Sequence, residues 1–235
     1  MTTIGFTTIG ESPRDDMVPG MMHIFPAGTI AAQRGCLDGL SRAEIDALAP
    51  DSGEVGMITL LKSGDSVLLS HAKIMPIMQQ KVDELVCDEN ADVVVILCGA
   101  DWSAIKSEKL IVNPGKVFPG VVSSLAGGRR LGVIKPSAGQ IEKELERYTD
   151  LGIDAVVTAA SPYEGEARLD LARSAAEKLK AANCDLIWMT CVGMDSAMRD
   201  EVASITGKPV ILAQSILARV VSELLPQESP VAAHV

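Results

Sequence analysis

The chain has 235 residues, 47% of them hydrophobic, which is enough for one large domain or two smaller ones with buried cores. Its formal net charge of −10 at pH 7, with no basic tract, argues against nucleic-acid binding. The apolar runs are the length of strands, and the N-terminus lacks a secretory signal pattern. These features exclude a membrane-spanning protein and a nucleic acid as partner.

The five cysteines are an odd number without close, regular spacing, so they predict neither a disulfide framework nor a zinc site. Their pattern favours the reduced cytoplasm as the location of the protein. The sequence also lacks a phosphate-binding glycine loop and a dinucleotide-binding glycine motif. We therefore expect no metal and no nucleotide cofactor.

The first apolar stretch, residues 4–9, is rich in β-branched residues and predicts a strand. Ser12 and Pro13 suit the N-cap and first position of a helix that begins directly after it. The free N–H groups of that turn, together with Arg14, could bind a carboxylate or a phosphate. The alternative is an ordinary capped helix with a solvated arginine.

The later chain alternates between strands and helices, which is typical of an α/β fold. Residues 91–97 form a β-branched run suited to a strand covered on both faces, and residues 127–130 suggest a boundary between two halves. Before these, residues 56–61 and 66–70 predict a hairpin on the edge of a parallel sheet. The second half predicts strands at 131–134, 154–159, 185–190 and 209–212, and helices at 137–150, 165–182, 195–206 and 214–225. We expect two doubly wound parallel-sheet domains with a cleft between them, followed by a frayed tail at 227–235.

Each half contains a cysteine at the carboxyl end of a buried strand. Cys98 is followed by Gly-Ala-Asp, and Cys191 by Val-Gly-Met-Asp. Ligands of open α/β sheets bind at these strand ends. Backbone donors there are expected to lower the pKa of a thiol, and Asp101 and Asp195 are expected to cap the next helices.

A single such cysteine is more often a small buried hydrophobe than a reactive group. Two of them at equivalent strand ends could approach one substrate carbon from opposite faces, one removing a proton as thiolate and the other returning one as thiol. That arrangement would invert a stereocentre. Cys36, Cys87 and Cys184 lack this context and are assigned to packing or surface. Lys73 and Lys135 could meet an anion, although solvated lysines are commoner.

Three segments of the sequence resemble the AroM-type proteins. They are residues 7–14 (TTIGESPR), 191–194 (CVGM) and 214–219 (QSILAR), and the resemblance extends over nearly the full chain. This family is similar to the aspartate/glutamate/hydantoin racemase superfamily. Membership would imply two α/β domains that each contribute one catalytic cysteine, with no cofactor.

The resemblance implies that Cys98 and Cys191 are the two acid/base thiols. It also implies substrate-anchoring groups at the first strand end, namely Thr8, Ser12 and Arg14, and backbone N–H donors to a carboxylate, namely Gly99, Ala100, Val192 and Gly193. The last helix is expected to return to the first domain, which divides the chain into 1–127 plus 214–235 and 128–213.

The leading prediction is a cofactor-independent racemase or epimerase acting next to the carboxylate of a small acid. A cis/trans isomerase or a decarboxylase could use the same cysteines, and a non-catalytic protein could bind a small anion in the same cleft. A redox switch through a Cys98–Cys191 disulfide would need Cα atoms within about 7 Å. A homodimer is expected only because dimers are the commonest soluble assembly.

Overall fold

Two four-stranded parallel sheets, one in each half of the chain, organise the computed structural model, which describes residues 1–226. This arrangement confirms the predicted α/β class. The predicted frayed tail, 227–235, lies outside the described residues, as does His234 within it.

The first sheet has the strand order β2-β1-β5-β6, and all of its strands are parallel. Its strands are β1 (Thr3–Thr8), β2 (Ile30–Gly35), β5 (Val93–Ile96) and β6 (Leu110–Val112). The helices of this half are α1 (Val18–Met22), α2 (Arg42–Ala47), α3 (His71–Cys87) and α4 (Pro114–Ala126). The predicted hairpin exists as β3 (Met57–Leu60) and β4 (Ser66–Leu69), but it forms its own antiparallel sheet instead of extending the parallel one.

The second sheet has the order β10-β9-β7-β8, again fully parallel. Its strands are β7 (Leu131–Lys135), β8 (Ala155–Ala159), β9 (Leu186–Met189) and β10 (Val210–Leu212). Its helices are α5 (Ile141–Asp150), α6 (Ala167–Ala181), α7 (Ser196–Thr206) and α8 (Ala213–Glu223), with a 3-10 turn (Ala138–Gln140) before α5. All four strands and all four helices predicted for this half are confirmed.

The strands bury alternate side chains in different cores, as the two-residue period of a strand requires. In β5, Val93 and Val95 belong to a core that also contains Leu131, Leu186 and Trp188 of the second sheet. Buried residues of α1, α4 and α8 complete this shared core. Val94 and Ile96 point instead into a separate core with α3, and the second sheet has its own outer core with α6 and α7. A layer of apolar side chains therefore joins the two sheets.

The predicted helix start at Pro13 is wrong. The Ser12–Pro13 peptide is cis, and α1 begins only at Val18, so Ser12 caps no helix. The carboxylate of Asp38 accepts hydrogen bonds from both the backbone N–H and the hydroxyl of Ser12. Residues 10–17 form a loop at the end of β1.

Helix α8 packs against α1 and α4 as well as against β10. Its buried side chains, including Leu217 and Val221, belong to the core shared by both sheets, and the Ser222 hydroxyl donates to the Ile24 carbonyl over 3.3 Å. The division of the chain into 1–127 plus 214–235 and 128–213 stays a prediction. Within residues 1–226, no helix is long and apolar enough to cross a bilayer.

The first turn of α4 packs directly against the loop that follows Cys98. A methyl group added at Gly115 would lie 2.6 Å from the carbonyl carbon of Ala100 and 2.7 Å from the Cα of Asp101. Because both obstacles are backbone, Gly115→Ala should displace this loop and lower the free energy of unfolding by about 1–3 kcal/mol in urea denaturation.

Gly120→Ala in the same helix is the matched control for that substitution. Nothing lies within 4 Å of a methyl group at Gly120, which is exposed. Alanine there should leave stability unchanged or raise it by up to about 1 kcal/mol. Equal stability of the two variants would contradict the close approach at Gly115.

Candidate active site

Cys98 lies just beyond the carboxyl end of β5. The Leu97 N–H still donates to the Thr7 carbonyl of β1 over 2.7 Å, and the chain then leaves the sheet. The Cys98 sulfur lies 3.9 Å from the sulfur of Met57 in the hairpin. The Trp102 indole N–H donates to the Cys98 carbonyl over 3.2 Å, which fixes the turn after the cysteine. Cys98 is a free, partly exposed cysteine.

Cys191 occupies the matching place after β9. Both the N–H and the hydroxyl of Thr190 donate to the Ile134 carbonyl of β7 over 3.1 Å, so the sheet ends immediately before Cys191. The Cys191 carbonyl accepts from the Met194 N–H, and its sulfur lies 3.9 Å from the Tyr163 hydroxyl. Cys191 is also free and partly exposed.

The two strand ends meet. A methyl group built on Gly99 would lie 3.6 Å from the carbonyl oxygen of Thr190, which is ordinary van der Waals contact. Gly99 directly follows Cys98, and Thr190 directly precedes Cys191. Negative charge on Cys191 also raises the pKa of Cys98, so the sulfurs are close enough to interact electrostatically. The structure thus brings the two predicted cysteines together.

The expectation of lowered thiol pKa values is wrong for this state of the protein. Burial raises the pKa of Cys98 to about 11, and burial likewise raises the pKa of Cys191. Desolvation disfavours the charged thiolate, and here it outweighs the backbone donors that oppose it. The environment of each sulfur therefore contains thiolate-stabilising groups without producing a resting thiolate by itself.

Two of the four predicted backbone donors are directed at the sulfurs. The Ala100 N–H lowers the pKa of the Cys98 thiol, and the Gly193 N–H lowers the pKa of the Cys191 thiol. Val192 is buried, and its carbonyl accepts from the Gln214 side-chain amide over 3.3 Å. Gly99 lies against the Thr190 carbonyl. Donation by these four residues to a substrate carboxylate stays a prediction.

The polar groups at the end of β1 bond mainly to one another. Thr8 is buried, and its hydroxyl oxygen accepts from the Gly10 N–H and from Arg14. The Ser12 hydroxyl donates to Asp38 over 2.5 Å. Asp38 also accepts from the Gly35 N–H at the end of β2. Their role as substrate anchors stays a prediction.

Arg14 is 4% exposed and bonded on several sides. Its guanidinium forms a two-point ion pair with Asp16 at 2.8 and 2.6 Å, and it also donates to Thr8 and Thr59. Burial lowers the pKa of Arg14, but Asp16 and Tyr163 outweigh that effect and raise it above its usual range. Arg14 therefore stays charged in spite of its burial.

Tyr163 is the main residue of this site that the sequence did not reveal. Arg14 lies over its ring, 5.9 Å from the centroid, and its hydroxyl approaches Cys191. A methyl group at Gly193 would lie 2.6 Å from that hydroxyl oxygen, so the phenol fills the space above Gly193. The available signal was its place in the loop that follows β8, at the same sheet edge as Cys191.

Lys135, the last residue of β7, is the cation that both cysteines share. Its ammonium group lies 3.1 Å from Glu144, whose other oxygen accepts from Arg147 over 3.1 Å. Its positive charge lowers the pKa of both Cys98 and Cys191. Its side chain is only 16% exposed, so Lys135 is not a solvated surface lysine.

Asp101 and Asp195 behave differently from each other. Asp195 caps α7 as predicted, accepting from the Met198 N–H over 2.8 Å. Asp101 caps no helix; it accepts from the Ser103 N–H and pairs with Lys116 at 3.0 Å, while Asn113 caps α4. Neither carboxylate is directed at a sulfur by these contacts.

A cavity of about 610 Å³ is lined by residues of both halves but by neither Cys98 nor Cys191. Met57 and Ala100 line it from the first half, and Gly139 and Glu142 from the second. That volume falls in the range of small-molecule sites. Among residues 1–226, no three side chains of the types His, Cys, Asp or Glu are grouped to hold a metal ion.

The model of the AroM protein family matches residues 4–225 of the sequence. The chain belongs to the AroM family. Among curated proteins, none matches it in sequence.

Solved structures extend the comparison to the fold of this AroM family member. Allantoin racemase from Klebsiella pneumoniae superposes with a TM-score of 0.61 at 12% identity, covering 100% of this chain and 97% of the other. Arylmalonate decarboxylase gives 0.58 at 15% identity, covering 97% and 95%. Picrophilus torridus aspartate racemase gives 0.56 at 10% identity, covering 95% and 94%. The chain therefore has the same fold as these two racemases and this decarboxylase.

Lys135→Met should raise the pKa of both cysteines, because it removes the positive charge that favours both thiolates. The midpoint of the pH dependence of iodoacetamide alkylation, followed for each cysteine by peptide mass spectrometry, should rise by on the order of one pH unit at both sites.

The matched control for that substitution is Lys143→Met. Lys143 is exposed and lines the cavity, but it is not among the groups with the largest effects on the pKa of either thiol. Its loss should leave both midpoints in place. If Lys135→Met moved neither midpoint, the shared cation would have no electrostatic role.

Proposed function

We propose that this AroM family protein is a cofactor-independent racemase or epimerase. Its substrate would be a small acid whose reacting carbon lies next to the carboxylate. Cys98 and Cys191 would be the acid/base pair. Racemases and a decarboxylase share this fold, at sequence identities of 10–15%. Because identities this low show only the fold, the proposed activity depends on this chain's own residues.

The observation that carries the proposal is the meeting of the two cysteine-bearing strand ends. Gly99 approaches the Thr190 carbonyl, and a backbone N–H beside each of the adjacent cysteines lowers the pKa of its thiol. Two isolated buried cysteines would not need matching donors, partial exposure and a common cation. This convergence favours paired proton transfer over packing.

The chemistry balances with the two thiols alone. One cysteine, as thiolate, removes the proton from the substrate carbon, and the electron pair is delocalised into the adjacent carboxylate. The other cysteine, as thiol, returns a proton to the opposite face. The product has the inverted configuration, and the two cysteines have exchanged protonation states.

The planar intermediate needs stabilisation of its additional negative charge. Lys135 supplies a positive charge at the end of β7 that acts on both cysteines. Fixed donors and charges in a partly dehydrated site stabilise such charge more effectively than water does. Gly99, Ala100, Val192 and Gly193 are the proposed backbone donors to the carboxylate, with Thr8, Ser12 and Arg14 ordering the opposite side.

Free thiols are a requirement of this mechanism. All five cysteines are free in the structure, including both members of the pair. Thiols stay reduced in the cytoplasm, which is the compartment we propose for the protein.

The test is incorporation of solvent deuterium into a panel of small amino and hydroxy acids, followed by NMR. A substrate should exchange the hydrogen next to its carboxylate and lose optical activity. Cys98→Ser and Cys191→Ser should each lower turnover by about 10²–10⁴-fold, the range for loss of a general acid or base.

Cys87→Ser is the control for those variants, because Cys87 is exposed at the end of α3. It should retain full activity. The proposal would be abandoned if no acid of the panel exchanged deuterium, or if the Cys98→Ser and Cys191→Ser variants exchanged it as fast as the wild type.

Decarboxylation is the second candidate reaction, favoured by the resemblance to arylmalonate decarboxylase. It would use one cysteine to protonate the carbon left after loss of carbon dioxide. Release of carbon dioxide from a malonate-type substrate would identify it, whereas racemisation conserves mass. Binding of an acid without exchange or gas release would identify a small-anion binding protein.

A further inference from the structure

The two cysteines have different neighbours. The Cys98 sulfur lies against the thioether of Met57, 3.9 Å away, which is at most a weak hydrogen-bonding partner. The Cys191 sulfur lies 3.9 Å from the Tyr163 hydroxyl, which is within hydrogen-bonding distance for sulfur. The two cysteines therefore occupy equivalent strand ends, but their sulfurs have different neighbours.

Tyr163 is held from two sides. The Arg14 guanidinium lies over its ring, and the surface above Gly193 accommodates the phenol only because residue 193 has no side chain. Arg14 itself is fixed by its two-point pair with Asp16 and its bonds to Thr8 and Thr59. The hydroxyl thus has little freedom to leave the sulfur.

We infer that Tyr163 is a positioning residue that donates a hydrogen bond to Cys191 and makes Cys191, not Cys98, the cysteine that carries the negative charge. This inference rests on the proposed function for its catalytic meaning. A difference in ionisation between the two thiols, and its dependence on Tyr163, can be measured without a substrate.

The charges around Cys191 agree with this assignment. Tyr163, Arg14 and Lys135 are the titratable groups that favour its thiolate, from the loops after β8 and β1 and from the end of β7. At Cys98 the favourable charge is Lys135, the Trp102 indole N–H also lowers the pKa, and negative charge on Cys191 opposes ionisation. Once Cys191 is ionised, Cys98 stays a thiol.

The direction of the hydrogen bond follows from the phenol. Burial and the neighbouring Cys191 hold the pKa of Tyr163 well above its ordinary value, against the opposing effect of Arg14. A protonated phenol beside a thiolate must donate. With Cys191 ionised, the enzyme would then take the proton from the substrate face that meets Cys191 and deliver one from Cys98.

The experiment is alkylation by iodoacetamide from pH 6 to 11, with each cysteine followed by peptide mass spectrometry. In the wild type, Cys191 should show the lower midpoint. Tyr163→Phe should raise the Cys191 midpoint by about one pH unit and leave that of Cys98 unchanged or slightly lowered. Midpoints are preferable to rates, because thiolate nucleophilicity also changes with pKa.

Gly193→Ala provides a second variant in case Tyr163→Phe folds poorly. Its methyl group would displace the phenol and keep the backbone N–H, so it should also raise the Cys191 midpoint. The Cys98 midpoint measured in the same sample reports on the integrity of the fold.

A lower midpoint for Cys98 in the wild type would overturn the inference. Equal shifts of both cysteines in Tyr163→Phe, or no shift of Cys191 in either variant, would also overturn it. Deuterium exchange that depends on both cysteines would leave the proposed function intact after such a result. Absence of exchange with the expected midpoints would leave the unequal thiols intact without that function.

Discussion

The apolar layer between the two sheets is the constraint on which the site depends. Side chains such as Val95 of β5 and Trp188 of β9 belong to one core, with Phe118 of α4 packed edge-on against Trp188 at 5.1 Å. This common core fixes one sheet relative to the other. The strand ends that bear Cys98 and Cys191 can then meet at Gly99 and Thr190 without any bond between the cysteines themselves.

Burial and nearby fixed charges have opposite effects on the pKa of the two thiols. Burial raises the pKa of both thiols, while the backbone donors of Ala100 and Gly193 and the charge of Lys135 oppose it. Lys135 in turn stays ordered through Glu144, which Arg147 also contacts. The same low-dielectric surroundings that make a thiolate costly also strengthen each compensating interaction. Small changes in the neighbours of each sulfur therefore have large effects on which one ionises.

Much of the fold was predictable because it follows from local periodicity. The unbroken β-branched run before Cys98 and the regular alternation after residue 130 identified the parallel sheets, and the cysteines at their ends followed from topology. The helix predicted at Pro13 does not form, and Asp38, distant in sequence, instead accepts hydrogen bonds from the N–H and the hydroxyl of Ser12 and holds this residue in a loop.

The position of Tyr163 beside Cys191 and the relative pKa values of the two thiols could not be predicted either. Both depend on contacts between loops of different halves, which no spacing in the sequence encodes.

The contact between Arg14 and Tyr163 has a consequence for how the protein would admit a ligand. Arg14 belongs to the loop after β1, and Tyr163 to the loop after β8, so the contact spans the two sheets. A separation of these loops wide enough to admit a molecule would draw the guanidinium away from the phenol and loosen the phenol from Cys191. Closure of the cleft and ionisation of Cys191 would then be coupled, with the sulfur least ionised when the cleft is open to oxidants and most ionised once the cleft has closed.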